Sequence, residues 1–434
     1  MFEQDTPRHD ARHRVVIVGG GVAGLDLAGA LARDTGLAVT LIDLATAHVW
    51  KPMLHSIAAG TRASAGVEVP YVAQARRHGF TYAAGPALDI DRAARTVHVD
   101  RFVLHGRDLL PERRIAYDTL VLAVGSVAAP FGVEGVEAHA RHIDTLIEAQ
   151  NFQADLLPRL VEAAHAGRQL RIAIVGGGAT GVQFAAELLQ MADIAGGYGL
   201  NDSRATLDVT LVDRGPRLLP AFPETVSAAA RARLEGLGVH VRTDVKVVAV
   251  DEQGLRLDDG AIPADMTVWA AGVQAAPLAK SLTSLTQDQS GRLCIDRHCR
   301  SVDDPAIFAI GDCASLTPQG EERPLPPTAQ IAYQQAVYLG RHLPAMLAGK
   351  EAPPFRHRDF GALVKLGEYD GYADLGKFGI SSGVIRGRLA RLGHEMLYRR
   401  HQMRLHGRAA VLRLWLADRL TSSIRPDDRV AKGD

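Results

Sequence analysis

Two glycine-rich turns of one pattern, one near the start of the chain and one in its middle, limit the possible folds more than any other feature. Val15-Val16-Ile17-Val18 is a short apolar run followed by Gly19-Gly20-Gly21-Val22-Ala23-Gly24-Leu25 and an Ala/Leu-rich helical stretch. Ile172-Ala173-Ile174-Val175 leads in the same way into Gly176-Gly177-Gly178-Ala179-Thr180-Gly181-Val182. At this spacing the first glycine (Gly19, Gly176) permits a sharp turn and the second (Gly21, Gly178) lets a pyrophosphate approach the backbone. The third (Gly24, Gly181) lets helix pack on strand. The helix start adds free N–H groups and a positive dipole end. One such turn is a weak sign, because similar turns arise from packing alone. Two in one chain, each followed by a strand ending in an acid, point to two dinucleotides held side by side.

Asp43 closes Ala38-Val39-Thr40-Leu41-Ile42 at the spacing of a carboxylate that accepts hydrogen bonds from an adenosine ribose. Asp213 closes Val209-Thr210-Leu211-Val212, further along because a Gly-containing insertion, Ala192 to Ala205, lengthens the connection. A carboxylate there repels a 2′-phosphate and favours NADH over NADPH, while the neighbouring Arg214 could pair with that phosphate. The plainer reading of either acid is a solvated residue at a strand end.

Helix and strand patterns alternate from Arg14 to about Ala129, closing in Leu120-Val121-Leu122-Ala123-Val124-Gly125-Ser126, a buried strand that runs into a Gly-Ser turn. Met266 to Val273, with Ala271-Gly272 near its end, is the counterpart in the second repeat. The expected class is α/β, with two related Rossmann-like domains, the second inserted into the first. The chain then returns to the first through Ile307-Phe308-Ala309-Ile310-Gly311-Asp312-Cys313-Ala314, where Asp312 is either a ligand for a flavin's ribityl and phosphate side or a turn cap. After Pro324 to Pro327 comes a helix with Thr328 as its N-cap, placing Gln330 and Gln334 on one face.

The formal charge is zero over 434 residues, which points to no nucleic acid partner. From Val384 onward, however, twelve Lys/Arg stand against five Asp/Glu, so a tail of net +7 follows a mildly acidic body. Residues 1 to 14 are polar and read as no secretory signal, and no apolar stretch reaches the roughly 18 to 20 residues that span a bilayer. Cys294, Cys299 and Cys313 fit a reducing cytoplasm and read as buried, inert thiols. None precedes residue 294, which excludes a redox dithiol in the N-terminal domain. The 17 histidines show no repeated ligand spacing and no metal site is expected; His55 and His401 read as packing or surface residues.

The chain resembles, nearly end to end, the type II NADH:quinone oxidoreductases, single-subunit flavoproteins of respiratory membranes, and is close to their enterobacterial form. The residues that carry the likeness are both glycine turns, His48-Val49-Trp50-Lys51-Pro52-Met53-Leu54-His55, Ala271-Gly272, Gly311-Asp312-Cys313-Ala314 and the Ala329-Gln330 helix. Near the C-terminus they are joined by Leu397-Tyr398-Arg399-Arg400-His401-Gln402 and Leu405-His406-Gly407. The resemblance implies FAD on the first turn, NADH on the second and a quinone reached from the membrane side near Gln330 and Gln334. It implies an FAD domain over residues 14–140 and 276–350, an NADH domain over 141–275 and a membrane-anchoring region over 351–434. Lys51, Gly125, Gly272 and Ala329 are implied cofactor neighbours; Lys51 could equally be a solvated lysine, and Trp50 a lid or ordinary core. Where the family usually has Gly-Val-Glu, this chain reads Gly181-Val182-Gln183, with Glu187 one turn later. Glutamine keeps the shape but cannot titrate, so protons must come through Glu187, a water chain or the quinone pocket.

Leu405, Ala409, Leu412, Leu416, Leu420 and Ile424, with Trp415 beside them and Arg404, Arg408, Arg413 and Arg419 around them, predict one cationic amphipathic helix. Such a helix lies in an anionic membrane interface; the alternative is docking on the body of the protein or on a second copy in a homodimer. The expectation is a peripheral enzyme on the cytoplasmic face of the inner membrane that oxidises NADH with quinone and pumps no protons. The alternatives are a soluble reductase for a protein electron carrier and a redox-responsive flavoprotein that binds without turning over.

Overall fold

Each glycine turn leaves the middle strand of a five-stranded parallel sheet, and the two sheets follow one plan. The computed structural model describes residues 12–64, 67–196, 204–374 and 384–424. In the first sheet His13–Val18 lies between Leu37–Asp43 and Thr119–Leu122, with Thr81–Ala84 and Ile307–Ala309 at the edges. In the second, Leu170–Val175 lies between Leu207–Val212 and Met266–Trp269, with His240–Arg242 and Ala140–Arg141 at the edges. Strands of a parallel sheet are covered on both faces and therefore read as unbroken apolar runs. Val15 to Val18 and Ile172 to Val175 are accordingly all buried.

The chain divides into two compact units. One comprises the described residues up to Val49, Glu68–Val127 and Gln274–Arg358; the other comprises Trp50–Val67, Ala128–Val273 and the described residues from Asp359. Each unit adds a three-stranded antiparallel sheet. These are Ala87–Asp91, Thr96–Val99 and Arg113–Ala116 in the first, and Val247–Asp251, Gly254–Leu257 and Ala261–Pro263 in the second. The helix after the second turn, Ala179–Ala195, takes up the first residues of the Ala192 to Ala205 insertion, whose residues 197–203 lie outside the described ones.

The second unit also carries the C-terminal region, an antiparallel sheet of Ala362–Leu366, Asp370–Asp374 and Val384–Arg386 followed by two helices. The turn of this sheet is tied to the glycine-turn helix. Gln190 Oε1 accepts the Glu368 N–H at 2.9 Å, and Tyr369 donates to Asp193, which also pairs with Arg204 at 3.0 Å. The guanidinium groups of Arg204 and Arg233 lie 5.7 and 5.8 Å from the Tyr369 ring centroid.

The single amphipathic helix expected from Leu405 to Ile424 needs correction. Gly407, at φ +79°, separates the helices Arg388–His406 and Arg408–Ile424. Leu405 lies in the last turn of the first of them and is 4% exposed, so it belongs to the interior. Leu412, Trp415, Leu416 and Leu420 of the second remain exposed, and the Ile424 side chain lies outside the described ones. Among the described residues no helix is long and apolar enough to cross a membrane.

Candidate dinucleotide sites

The two turns are alike in geometry and in the reasons for their glycines. Gly19 and Gly176 sit at φ +102° and +119°, and a Cβ on either would lie within 2.4 Å of a carbonyl oxygen, that of Ala123 or Ala270. A Cβ on Gly24 or Gly181 would lie 1.8 or 1.9 Å from the carbonyl oxygen of Gly19 or Gly176, so helix and turn touch backbone to backbone. Gly21 and Gly178 differ: nothing stands within 4 Å of their added Cβ. They are the N-cap residues of their helices, and neither position has a side-chain cap. Each turn therefore presents helix N–H groups and an open approach, the arrangement that accepts an anion.

Asp43 and Asp213 act alike. Asp43 Oδ2 accepts the Gly20 N–H and its Oδ1 the Ala45 N–H; Asp213 accepts those of Gly177 and Gly215 through the corresponding oxygens. Each acid braces the turn, and each oxygen keeps a lone pair for a ribose hydroxyl. Burial raises the pKa of Asp43, opposed by the Gly20 and Ala45 N–H bonds.

The carbonyl of the middle glycine is where the turns part. Gly20 O accepts from Tyr71 Oη at 2.8 Å and faces His48 Nδ1 at 3.1 Å. Gly177 O accepts the backbone N–H of Leu219 at 2.7 Å. No local sequence pattern assigns this task to Tyr71 or His48. The available signal was a tyrosine opening the polar helix Tyr71–His78, where only it and Gln74 are buried.

In the first unit Asp312 Oδ2 accepts from Ser126 Oγ at 2.7 Å, so the two strand-end turns meet. Gly125 takes φ +72° with open space at its Cβ position, and Gly311 takes φ +74°. The Gly311 N–H is held at 2.7 Å by Gln335 Oε1, a buried side chain that no local pattern distinguishes from Gln330 or Gln334. Thr328 caps the helix Ala329–Leu347 as expected, accepting the Ile331 N–H. Gln334 and Gln330 share a face, their amides 3.4 Å apart, but Gln334 also donates to Arg358 O at 2.8 Å and accepts the Arg358 N–H at 2.9 Å. Those bonds give Gln334 a bracing task. Ala329 and Gln330 are half-buried at the helix start.

In the second unit Gln183 is 7% exposed, and among the described residues its side-chain amide has no hydrogen-bond partner. Glu187 is also buried and accepts from Ser56 Oγ at 3.1 Å and from Thr61 Oγ1. Lys51 pairs with Asp144 at 3.0 Å, and Asp144 also accepts the Ala128 N–H. Gly272, at φ +141°, packs against Phe131. Two of the segments that carry the family likeness meet here: the Trp50 ring lies 5.3 Å from Tyr398 and stacks on His401 at 6.1 Å, with the Arg62 guanidinium 5.1 Å from the Tyr398 ring. His55 is buried and its pKa is lowered to about 4 by burial and by the nearby charge of Lys365.

The cysteines are free. Burial raises the pKa of Cys313 to about 11 and raises those of Cys294 and Cys299. Cys294 ends the strand Leu293–Cys294, whereas Cys299 lies in a turn at φ +63°. Among the described residues no group of His, Cys, Asp or Glu is arranged to hold a metal.

Two turns of this geometry define a protein that binds two dinucleotides, and residues 13–336 match the family model of the pyridine nucleotide-disulphide oxidoreductases. A type II NADH:quinone oxidoreductase of Haemophilus influenzae is 35% identical, covering 95% of this chain and 98% of that protein. One of Staphylococcus aureus is 30% identical, covering 83% and 89%. Among solved structures, that of NDH2 from Plasmodium falciparum in complex with NADH superposes with a TM-score of 0.80 at 18% identity, covering 96% of this chain and 99% of that one. The chain belongs to the type II NADH:quinone oxidoreductase family.

Proposed function

We propose that this protein oxidises NADH and reduces a membrane quinone by two electrons, using FAD and pumping no protons. The observation that carries the reading is the pair of open glycine turns with their bracing acids, in a chain that belongs to this family over nearly its whole length. FAD, when bound, supplies the two-electron chemistry between hydride donor and quinone. The chain's own residues bind and orient. In the first unit Gly19, Gly21, Gly24 and Asp43 would hold the FAD pyrophosphate and adenosine ribose, and Asp312, fixed by Ser126, would hold its ribityl side. In the second, Gly176, Gly178, Gly181 and Asp213 take NADH.

Gln183, buried in the helix after the second turn, can donate or accept a hydrogen bond to the reactants without titrating. Glu187, one turn further along the same helix and held by the Ser56 and Thr61 hydroxyls, is the carboxylate of this group. Gln330 serves the quinone side, and Gln334 braces its helix. Mixing the purified yellow protein with NADH without oxygen should bleach the flavin, and a short-chain quinone should restore it. Bleaching without recovery leaves a flavin reductase and removes the quinone.

The exposed face of Leu412 (58%), Trp415 (41%), Leu416 (47%) and Leu420 (65%), with Arg408, Arg413 and Arg419 beside it, favours a lipid surface over a protein carrier. The predicted place is the cytoplasmic face of the inner membrane. Co-sedimentation with anionic vesicles should be lost when Leu416 and Leu420 are changed to Glu. A homodimer in solution that ignores vesicles would assign the same face to a second copy instead.

A further inference from the structure

Gly20 has both of its backbone polar groups fixed. Its N–H goes to Asp43, and its carbonyl oxygen faces Tyr71 Oη and His48 Nδ1, one donor for each lone pair. A carbonyl only accepts, so His48 carries its proton on Nδ1. Burial lowers the His48 pKa to about 4, which keeps the ring neutral near pH 7, and burial with the nearby Asp43 charge raises that of Tyr71, which keeps its hydroxyl a donor. The Tyr71 ring also lies against Gly20: a Cβ there would stand 2.4 Å from its ring atoms.

The Gly20 carbonyl and the Gly21 N–H belong to one trans peptide and point in opposite directions. Fixing the carbonyl toward Tyr71 and His48 therefore turns the Gly21 N–H away from them, at the residue whose Cβ position is open. In the second turn the same orientation is set by the Leu219 backbone N–H, which no substitution short of proline removes.

We propose that Tyr71 and His48 are positioning residues that hold the Gly20–Gly21 peptide in the orientation that receives the FAD pyrophosphate, so that flavin retention depends on two side chains whereas NADH binding has no such dependence. This rests on FAD occupying the first turn. Loss of the Tyr71 hydroxyl frees the peptide to rotate and removes an aligned donor from a doubly charged ligand, while the ring still fills its place.

The test is titration of deflavinated full-length protein with FAD, in the native chain and in Tyr71→Phe, His48→Leu and His48→Asn. Tyr71→Phe and His48→Leu should each weaken FAD about tenfold, and His48→Asn, which keeps a short donor, should restore most of the loss. The 31P resonances of bound FAD should shift in Tyr71→Phe, and the KM for NADH at saturating FAD should stay within about twofold. Tyr82→Phe serves as the control, since that hydroxyl donates to Ala45 O. The FAD-induced rise in Tm should shrink in Tyr71→Phe with little change in the apoprotein Tm. Affinities within about twofold of native, with only the apoprotein Tm lowered, would overturn the proposal. Should Tyr71→Phe fail to fold, the Leu and Asn variants of His48 decide it by the same readings. A native chain that binds no FAD would instead overturn the function on which the proposal rests.

Discussion

The first and second glycine turns share their φ angles, their backbone-to-backbone helix contact and their bracing acid, yet fix the middle peptide by different means. At the first turn two buried side chains, Tyr71 and His48, face the Gly20 carbonyl; at the second the backbone of Leu219 does so for Gly177. What a turn needs is the peptide orientation, and more than one donor can supply it. The two solutions have different vulnerabilities. A side-chain clamp can be removed one group at a time and one of its members titrates, whereas a backbone clamp can do neither.

The largest effect expected is at the contact both turns share. In Gly24→Ala the new methyl would stand 1.8 Å from the Gly19 carbonyl oxygen and must push helix from turn. At about 3 kcal/mol of strain FAD should weaken roughly a hundredfold, and the purified protein should be nearly colourless by its absorbance spectrum.

Next comes the acid of the second turn. Asp213→Ala leaves the Gly177 and Gly215 N–H groups without their acceptor, at a cost of about 1.5–3 kcal/mol. The KM for NADH should rise accordingly while flavin content is unchanged. Equal loss of flavin would deny the independence of the two turns.

Acid should separate the two clamps more gently. Burial lowers the pKa of His48 to about 4, and the same cause with the Lys365 charge does so for His55, against about 6.5 in the unfolded chain. Between these values the unfolded chain binds more protons. Stability is therefore full above about pH 6.5 and falls as pH drops toward 4, by about 1.4 kcal/mol per pH unit for each histidine. Denaturation at pH 7, 6 and 5 should show that slope, and His48→Asn should remove about half of it. No histidine stands at the Leu219 clamp.

The smallest effect concerns Gln334. Its amide is committed to the Arg358 backbone, so Gln334→Ala should lower stability by about 1 kcal/mol and leave kcat within about twofold. A large fall in kcat would instead assign Gln334, with Gln330, to the quinone side.

How much of this could be read in advance follows from how local each interaction is. The glycine turns, their acids and the unbroken apolar strands are local patterns, and the Thr328 cap reaches three residues; all were legible. Tyr71 lies 51 residues from Gly20, His48 lies 28 from it, and Gln335 lies 24 from Gly311. Such partners depend on which segments the fold brings together, and one buried Tyr or Gln has no periodicity to reveal it. The tail misled for a different reason. The apolar spacing runs on through Gly407, but a glycine at φ +79° ends one helix and re-aims the next, so Leu405 turns inward while Leu412 and Leu416 stay outside. The glycine itself was the local sign of the break.

The central claim is that two separate turns hold two different dinucleotides, and Gly181→Ala tests it most directly. Its methyl would meet the Gly176 carbonyl oxygen at 1.9 Å, within the second turn alone. In anaerobic titration the variant should be yellow with native flavin content and bleach with dithionite, yet stay oxidised at NADH concentrations that fully bleach the native protein. A variant that loses its flavin, or that NADH bleaches as readily as the native chain, would contradict the account.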